Sequence, residues 1–144
     1  MTTRSSFHLS LTTADSDRQR AFYTQVLGCK LARRTAEFED YDFFGHQVTF
    51  HRREESLALP YEAFHFGAIL SWDEFHAVHQ RLVQAAAHFL IEPTEQRAGT
   101  EDARRKLVAL DPSGYAIELK CYRNPERALA EAEGYARIKP SGDR

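Results

Sequence analysis

The strongest constraint on the fold is an internal duplication of the sequence pattern. Phe7-His8-Leu9 and Phe64-His65-Phe66 each begin a strand-like run, one in each half of the chain. Each run leads into an amphipathic helical stretch and then into further strand-like segments. Such a repeat is typical of one supersecondary unit used twice. The sequence therefore predicts an α+β fold of two tandem βαβββ modules, with a curved mixed sheet and helices on its outer face.

The pattern of the first half begins with residues 7–13, where apolar and polar side chains alternate as in a half-buried strand. Asp15 is a suitable N-cap for a helix over residues 16–27, which would end at Gly28. In the second half, residues 64–70 predict a strand and Ser71 or Asp73 caps a helix to about Ala87. The remaining predicted strands are 29–36, 38–44 and 47–53, then 88–92, 105–110 and 116–122, with a loop over 94–104.

The chain is long enough for one domain with a substantial core. We expect a single domain over residues 1–123, with modules at about 6–54 and 63–123 and a charged C-terminal tail at 124–144. Cys29 and Cys121 lie far apart in apolar contexts, which favours free thiols and a reducing compartment. There is no apolar signal region or membrane-length apolar run, so we expect a cytoplasmic protein.

The alternation along three strands indicates where a ligand site falls. Phe7, Leu9 and Leu11 share one face of the first strand, which places His8 on the other face. By the same count, His65 and Glu118 point away from the helices on the fifth and last strands. Two imidazoles and one carboxylate on a common helix-free surface are the ligand types of a catalytic metal site. The alternative is that each is an ordinary surface or core residue.

Net charge bears on the class of partner. A formal net charge of −2 offers no electrostatic basis for binding nucleic acid or an anionic membrane. A helix-free concave surface is suited to a small molecule, and a small-molecule substrate is the expected partner. We find no clear basic cluster on the inward positions, and so no indication of a glutathione site.

Several segments together carry a family resemblance. They are Phe7-His8-Leu9, Ala21-Phe22-Tyr23, Val26-Leu27-Gly28, His65, Asp111-Pro112-Ser113-Gly114 and Ile117-Glu118-Leu119. Over about residues 7–123 the chain resembles the vicinal oxygen chelate superfamily, which includes glyoxalase I, extradiol dioxygenases, and bleomycin and fosfomycin resistance proteins. Residues 42–47, with His65-Phe66-Gly67, are similar to a bacterial subgroup described as extradiol-dioxygenase-like. The resemblance implies metal ligands at His8, His65 and Glu118, and frequent homodimers.

The ligand count favours one chemistry within that superfamily. Glyoxalase I-type enzymes are expected to use a further acid on the fourth strand. When the two halves are aligned on Gly45 and Gly114, Thr49 occupies the position equivalent to Glu118. Threonine is a poor ligand for a divalent ion. A three-ligand site with open positions is typical of non-haem Fe(II) oxygenases. We therefore expect Fe(II), with Mn(II), Zn(II) or Ni(II) as alternatives, and ring-cleaving extradiol dioxygenation of a small aromatic diol or related oxygen-chelating substrate.

Four more residues are assigned to the site. His51 shares the face of Thr49 and could transfer protons, and Tyr122 shares the face of Glu118 and could hydrogen-bond a substrate oxygen. Gln47 and Thr49 are expected to line the substrate cavity. The alternatives are a glyoxalase-like lyase or isomerase on the same metal, and a metal-free small-molecule binding or resistance protein.

Overall fold

The computed structural model describes residues 5–126. The first module contains β1 (His8–Thr13), α1 (Ser16–Ala21), β2 (Lys30–Arg34), β3 (Phe38–Phe43) and β4 (His46–Arg52). The second contains β5 (Phe66–Leu70), α2 (Trp72–Gln84), β6 (Phe89–Gln96), β7 (Arg104–Leu110) and β8 (Ala116–Tyr122). The two tandem βαβββ modules are thus confirmed. Of the predicted tail, residues 127–144 lie outside the described residues.

Each module forms its own four-stranded mixed sheet. The strand order is β1-β4-β3-β2 in the first sheet and β5-β8-β7-β6 in the second. The first strand of each module pairs in parallel with the last, and the other pairs are antiparallel. This order leaves β1 and β5 as edge strands, β1 beside the strand that carries Thr49 and β5 beside the strand that carries Glu118.

The first helix begins and ends where the sequence predicts, but its geometry changes along its length. Asp15 accepts a hydrogen bond from the backbone N–H of Arg18 at 3.0 Å, which caps α1. After Ala21 the chain continues as a π-helical segment over Phe22–Val26. Gly28 then takes a positive φ of 79°, a conformation that glycine adopts without steric cost. The wider π turn accompanies the burial of both Phe22 and Tyr23 in the core.

A buried polar network joins the two modules. The Asp111 carboxylate of the second module accepts hydrogen bonds from Gln19 at 2.6 Å and Tyr23 at 2.8 Å, both from the first. It also accepts from the backbone N–H groups of Ser113 and Tyr115. Burial raises the pKa of Asp111 to about 6 despite these four donors, because desolvation disfavours the charged form. The network holds the turn that begins at Asp111 in the second module against α1 and the π-helical segment of the first.

Some predicted bounds in the second module are wrong. The strand expected from residue 64 begins only at Phe66, so His65 immediately precedes β5. The helix α2 ends at Gln84, three residues earlier than predicted. The predicted loop over 94–104 is shorter, because β6 extends to Gln96 and β7 starts at Arg104. These longer strands create a surface beside Glu118 that the sequence did not indicate. Cys29 and Cys121 are free and buried, as expected.

Candidate metal centre

The open face of each sheet, meaning the face opposite its helix, carries the predicted site residues. On the first sheet, His8 is in register with Gln47, and Thr12 is in register with His51. Residues opposite one another on neighbouring strands project to the same side. Leu9, which alternates with these positions, packs against the hydrophobic core. The strand parity inferred from the sequence is therefore confirmed for the first module.

The second sheet brings two of the predicted ligands together. The Nε2 atom of His65 lies 3.0 Å from Oε2 of Glu118. The Nδ1 atom of His65 lies 3.0 Å from the carbonyl oxygen of Tyr61, and the two rings stack at a centroid distance of 4.4 Å. A carbonyl oxygen can only accept a hydrogen bond, so Nδ1 carries a proton. In the neutral form of this imidazole, the Nε2 lone pair therefore faces Glu118.

This pair suits a divalent cation. Two electron-rich atoms facing one another at this distance repel unless a proton or a cation lies between them. Two donors on adjacent positions of a cation, each about 2.1 Å from it, are about 3.0 Å apart. A ligating histidine also usually donates its other N–H to a carbonyl or carboxylate, as His65 does. The residues present therefore fit a metal ion held by His65 and Glu118.

Gly67 is the residue that allows β5 to approach Glu118. It is in register with Glu118, and a Cβ atom built on it would lie 1.6 Å from the Glu118 carbonyl oxygen. No side chain can occupy that position unless the two strands separate. The sequence shows a glycine two residues after His65, and only the register explains why it is needed there.

Positive charge surrounds the carboxylate, which the sequence analysis missed. Lys106 Nζ lies 3.5 Å and Lys120 Nζ 3.7 Å from Oε1 of Glu118. Together with Arg104 and Tyr122 they line a cavity of about 230 Å³ on the open face of β7 and β8. The expectation of no basic cluster is therefore wrong. Lys106 and Lys120 are far apart in sequence, and the pairing of β7 with β8 sets them opposite one another.

The other predicted site residues have varied surroundings. Thr49 is buried and donates a hydrogen bond to Oδ1 of Asp40 at 2.6 Å, while Arg33 pairs with Oδ2 of the same carboxylate at 3.0 Å. His51 is half-buried, with its ring 5.5 Å from that of Phe38. Gln47 is exposed. Asp40 is a buried carboxylate on this open face that sequence reasoning did not select, although its position two strands from His8 follows from the alternation of β3.

The predicted residues are divided between the two sheets. Glu118 and Tyr122 belong to the second, with His65 directly before its strand β5, whereas the first carries His8, Gln47, Thr49 and His51. Among residues 5–126 of one chain, no group of three or more His, Cys, Asp or Glu side chains is placed to hold a metal ion. His8 is exposed on the edge strand β1. One chain thus assembles two of the three predicted ligands.

Comparison with protein families identifies the superfamily. The model of the Glyoxalase/Bleomycin resistance protein/Dioxygenase superfamily matches residues 6–119, which include both modules and all three predicted ligands. This chain belongs to that superfamily. A search of curated proteins finds no significant match.

Solved structures share the fold of this superfamily member. A glyoxalase/bleomycin resistance protein/dioxygenase from Alicyclobacillus acidocaldarius is 28% identical, with a TM-score of 0.68 over 82% of this chain and 91% of the other. The fosfomycin resistance protein FosX from Listeria monocytogenes is 15% identical, with a TM-score of 0.66 over 88% and 99%. A protein described as an oxidase is 19% identical, with a TM-score of 0.63 over 83% and 94%.

Membership in the glyoxalase/dioxygenase superfamily agrees with the chemistry of the His65–Glu118 pair. The superfamily typically uses divalent metals and includes many enzymes. The similar structures range from fosfomycin resistance proteins to an oxidase, so the fold alone does not select a reaction. No helix within residues 5–126 has the length and apolar character needed to span a membrane.

Proposed function

We propose that the protein is a metal-dependent enzyme that catalyses ring-cleaving, extradiol-type oxygenation of a small substrate with two neighbouring oxygens, such as an aromatic diol. The observation that carries this proposal is the pairing of His65 with Glu118 at 3.0 Å, with Nδ1 of His65 held by a backbone carbonyl. We propose Fe(II) as the metal, with Mn(II), Zn(II) or Ni(II) as alternatives.

The third ligand in this proposal is His8 of a second copy of the chain. His8 is exposed on the unpaired edge of the first sheet, and β5 forms the corresponding edge of the second. Phe7 and Ile69 leave 62% and 49% of their surface exposed along an apolar groove of about 410 Å³ between these edges. A twofold homodimer that covers this groove would complete two equivalent sites, each with residues from both chains.

The choice of an oxygenase depends on the number of ligands. Thr49 takes the position in the first module that Glu118 has in the second, and its hydroxyl already donates a hydrogen bond to Asp40. A site with three protein ligands leaves adjacent positions for a bidentate substrate and for oxygen. The bound metal would supply Lewis acidity toward the two substrate oxygens and electron transfer to oxygen.

The remaining site residues would position and deprotonate the substrate. His51 is half-buried and its imidazole could accept a proton from a substrate hydroxyl. Tyr122 lines the same cavity as Lys106 and Lys120, and its hydroxyl could donate a hydrogen bond to a substrate oxygen. Gln47, in register with His8, and Thr49 would line the wall contributed by the first sheet.

A complementation experiment tests the shared site. His8→Ala and Glu118→Gln each remove one ligand from every site of a homodimer. If sites form across two chains, mixing the two variants restores about a quarter of the sites, because half of randomly assembled dimers are mixed and each contains one intact site. The measurement is the number of metal ions bound per chain after the two variants are refolded together. No recovery above the separate variants would mean that the site does not combine these residues from two chains.

The reaction is tested separately. Anaerobic addition of catechols to the Fe(II)-loaded protein should change its absorption spectrum, and admission of oxygen should consume one equivalent per ring opened. An unchanged spectrum with a broad panel of catechols, despite full iron loading, would reject the oxygenase assignment.

A second candidate is a lyase, isomerase or transferase on the same metal. The observation that favours it is the pair of lysines beside Glu118, which could stabilise an anionic substrate or intermediate without redox chemistry. Turnover without oxygen consumption would select this candidate. A metal-free binding protein is the third possibility, and absence of metal binding by the purified protein would select it.

A further inference from the structure

We propose that the open face of β7 and β8 binds an anionic group of the substrate, so that the substrate carries a carboxylate, phosphonate or phosphate in addition to its chelating oxygens. This inference rests on the proposed function, because it assigns a substrate class to the same site. The anionic subsite is defined here as Arg104, Lys106, Lys120 and Tyr122.

The arrangement of the two lysines is the first reason. Lys106 and Lys120 lie directly opposite one another on neighbouring antiparallel strands. Like charges in this position destabilise a sheet. Both ammonium groups reach toward one oxygen of Glu118, at 3.5 and 3.7 Å. Two cations that share one carboxylate remain incompletely neutralised, so the pair costs stability in the absence of a further anion.

The charges of Arg104, Lys106, Lys120 and Glu118, taken together, also leave an excess of positive charge. Arg104 Nε donates to the neutral amide oxygen of Gln96 at 2.7 Å, and it makes no ion pair within residues 5–126. Lys106 and Lys120 therefore share the carboxylate of Glu118, and Arg104 adds a third cation to the cavity that the two lysines line. A divalent cation bound to Glu118 and His65 would raise the excess of positive charge from two to four. A diol that loses one proton offsets only one of these charges, whereas a substrate with an additional anionic group offsets more.

The neighbouring arginine shows that the cluster is not general surface charge. Arg105 pairs with Glu95 at 3.4 Å, and its guanidinium lies 4.3 Å from the centre of the Trp72 ring. Its charge is thus paired with a carboxylate, and its guanidinium packs on an aromatic ring. Arg104, Lys106 and Lys120 line the same cavity of about 230 Å³ as Arg105, Tyr122 and Thr94. Unlike Arg105, however, Arg104 has no ion pair within residues 5–126, and the two lysines share one carboxylate. The hydroxyls of Tyr122 and Thr94 add hydrogen-bond donors suited to a tetrahedral or planar anion.

Direct binding of methylphosphonate tests the anionic subsite without requiring turnover. Isothermal titration is carried out on the metal-free and the Zn(II)-loaded full-length protein. Lys106→Met and Lys120→Met keep the apolar stem and remove the charge, and each should weaken binding about tenfold. Lys30→Met is the matched control, because Lys30 is exposed on β2 of the other sheet. It should bind as the unaltered protein does.

A second measurement uses the unaltered protein, so its result does not depend on whether the lysine variants fold. Backbone amide signals of Lys106, Lys120 and Tyr122 should shift on addition of methylphosphonate, while that of Lys30 should not. Equal affinities for all variants, or shifts confined to other regions, would overturn the inference.

The outcomes for the two proposals can be separated. Lysine-dependent binding of methylphosphonate to a protein that binds no metal would retain the anionic subsite and reject the proposed function. Metal binding and ring cleavage of neutral catechols, with no effect of either lysine variant, would retain the proposed function and reject the anionic subsite.

Discussion

The two modules share one plan but differ at the positions that matter for chemistry. Each ends in a hairpin whose turn has an aspartate three residues before a glycine of positive φ, Gly45 at 89° and Gly114 at 91°. Four residues later the first module has Thr49, hydrogen-bonded to Asp40, and the second has Glu118, next to His65. The two modules thus share the scaffold, but at this position only the second has a carboxylate, the proposed metal ligand.

The difference extends to the turns themselves. Within residues 5–126, Asp42 is exposed and accepts one hydrogen bond, from the backbone N–H of Gly45 at 2.8 Å, whereas Asp111 is buried and accepts four. The first turn therefore serves its own hairpin, and the second joins the modules. Matched substitutions at equivalent positions can test each of these contrasts.

The largest effect is expected at the ligand position. Glu118→Gln removes the negative charge that would bind the metal while it keeps the side-chain shape. Loss of a hydrogen-bond partner that orients a metal ligand lowers metal affinity by about 10- to 100-fold. Loss of the ligand itself should cost more, so we expect metal affinity to fall by about a hundredfold or more. Competition with a coloured chelator measures it. Thr49→Val at the equivalent position should leave metal affinity unchanged, and equal losses in both variants would contradict the proposed difference between the modules.

The next effect concerns the close approach of β5 to β8. Gly67→Ala places a Cβ where the Glu118 carbonyl oxygen now lies, so the strands must separate. We expect the free energy of unfolding to fall by about 3 kcal/mol, with a loss of metal affinity as His65 moves from Glu118. Ser10 is the equivalent residue of the first module, and Ser10→Ala should change stability by less than about 0.5 kcal/mol. Urea denaturation compares the two. A Gly67→Ala protein of full stability would show that the strands need not be this close.

A pH-dependent effect is expected at the module junction. Burial raises the pKa of Asp111 to about 6 from a usual value of 3.8, so its contribution to stability is fully present below pH 3.8. It is lost as the pH rises through about 6, at a cost of up to about 3 kcal/mol, because the folded state then holds a buried charge. Urea unfolding between pH 4 and 7 should reveal this component. It should be absent in Asp111→Asn and retained in Asp42→Asn, and its persistence in Asp111→Asn would assign it to another group.

The smallest effect is expected from the polar pair of the first module. Thr49→Val leaves Oδ1 of the buried Asp40 without its hydrogen bond, although Arg33 still pairs with Oδ2. We expect the free energy of unfolding to fall by about 1–2 kcal/mol. Thermal and urea unfolding measure it, with Thr49→Ser as the control that retains the hydroxyl. A destabilised Thr49→Ser protein would point to packing of the methyl group instead.

The local sequence determined most of the scaffold, because strand alternation, helix capping and turn residues act over a few neighbouring positions. The repeat predicted both modules, Asp15 marked the start of α1, and parity placed His8, Gln47, Thr49 and His51 on one face. The extent of β6 was not predictable, since residues 94–96 begin a charged segment that resembles a loop and become strand only through pairing with residues 104–106.

What only the tertiary structure decided is the set of contacts between residues distant in sequence. The register of β5 with β8 brings Gly67 against Glu118, and the register of β7 with β8 places Lys106 beside it. Packing of the two modules buries Asp111 against Gln19 and Tyr23. Such contacts depend on how strands align and how modules dock. Residue type and spacing along the chain therefore identified the candidate ligands, while strand register and docking determined which of them meet in one chain.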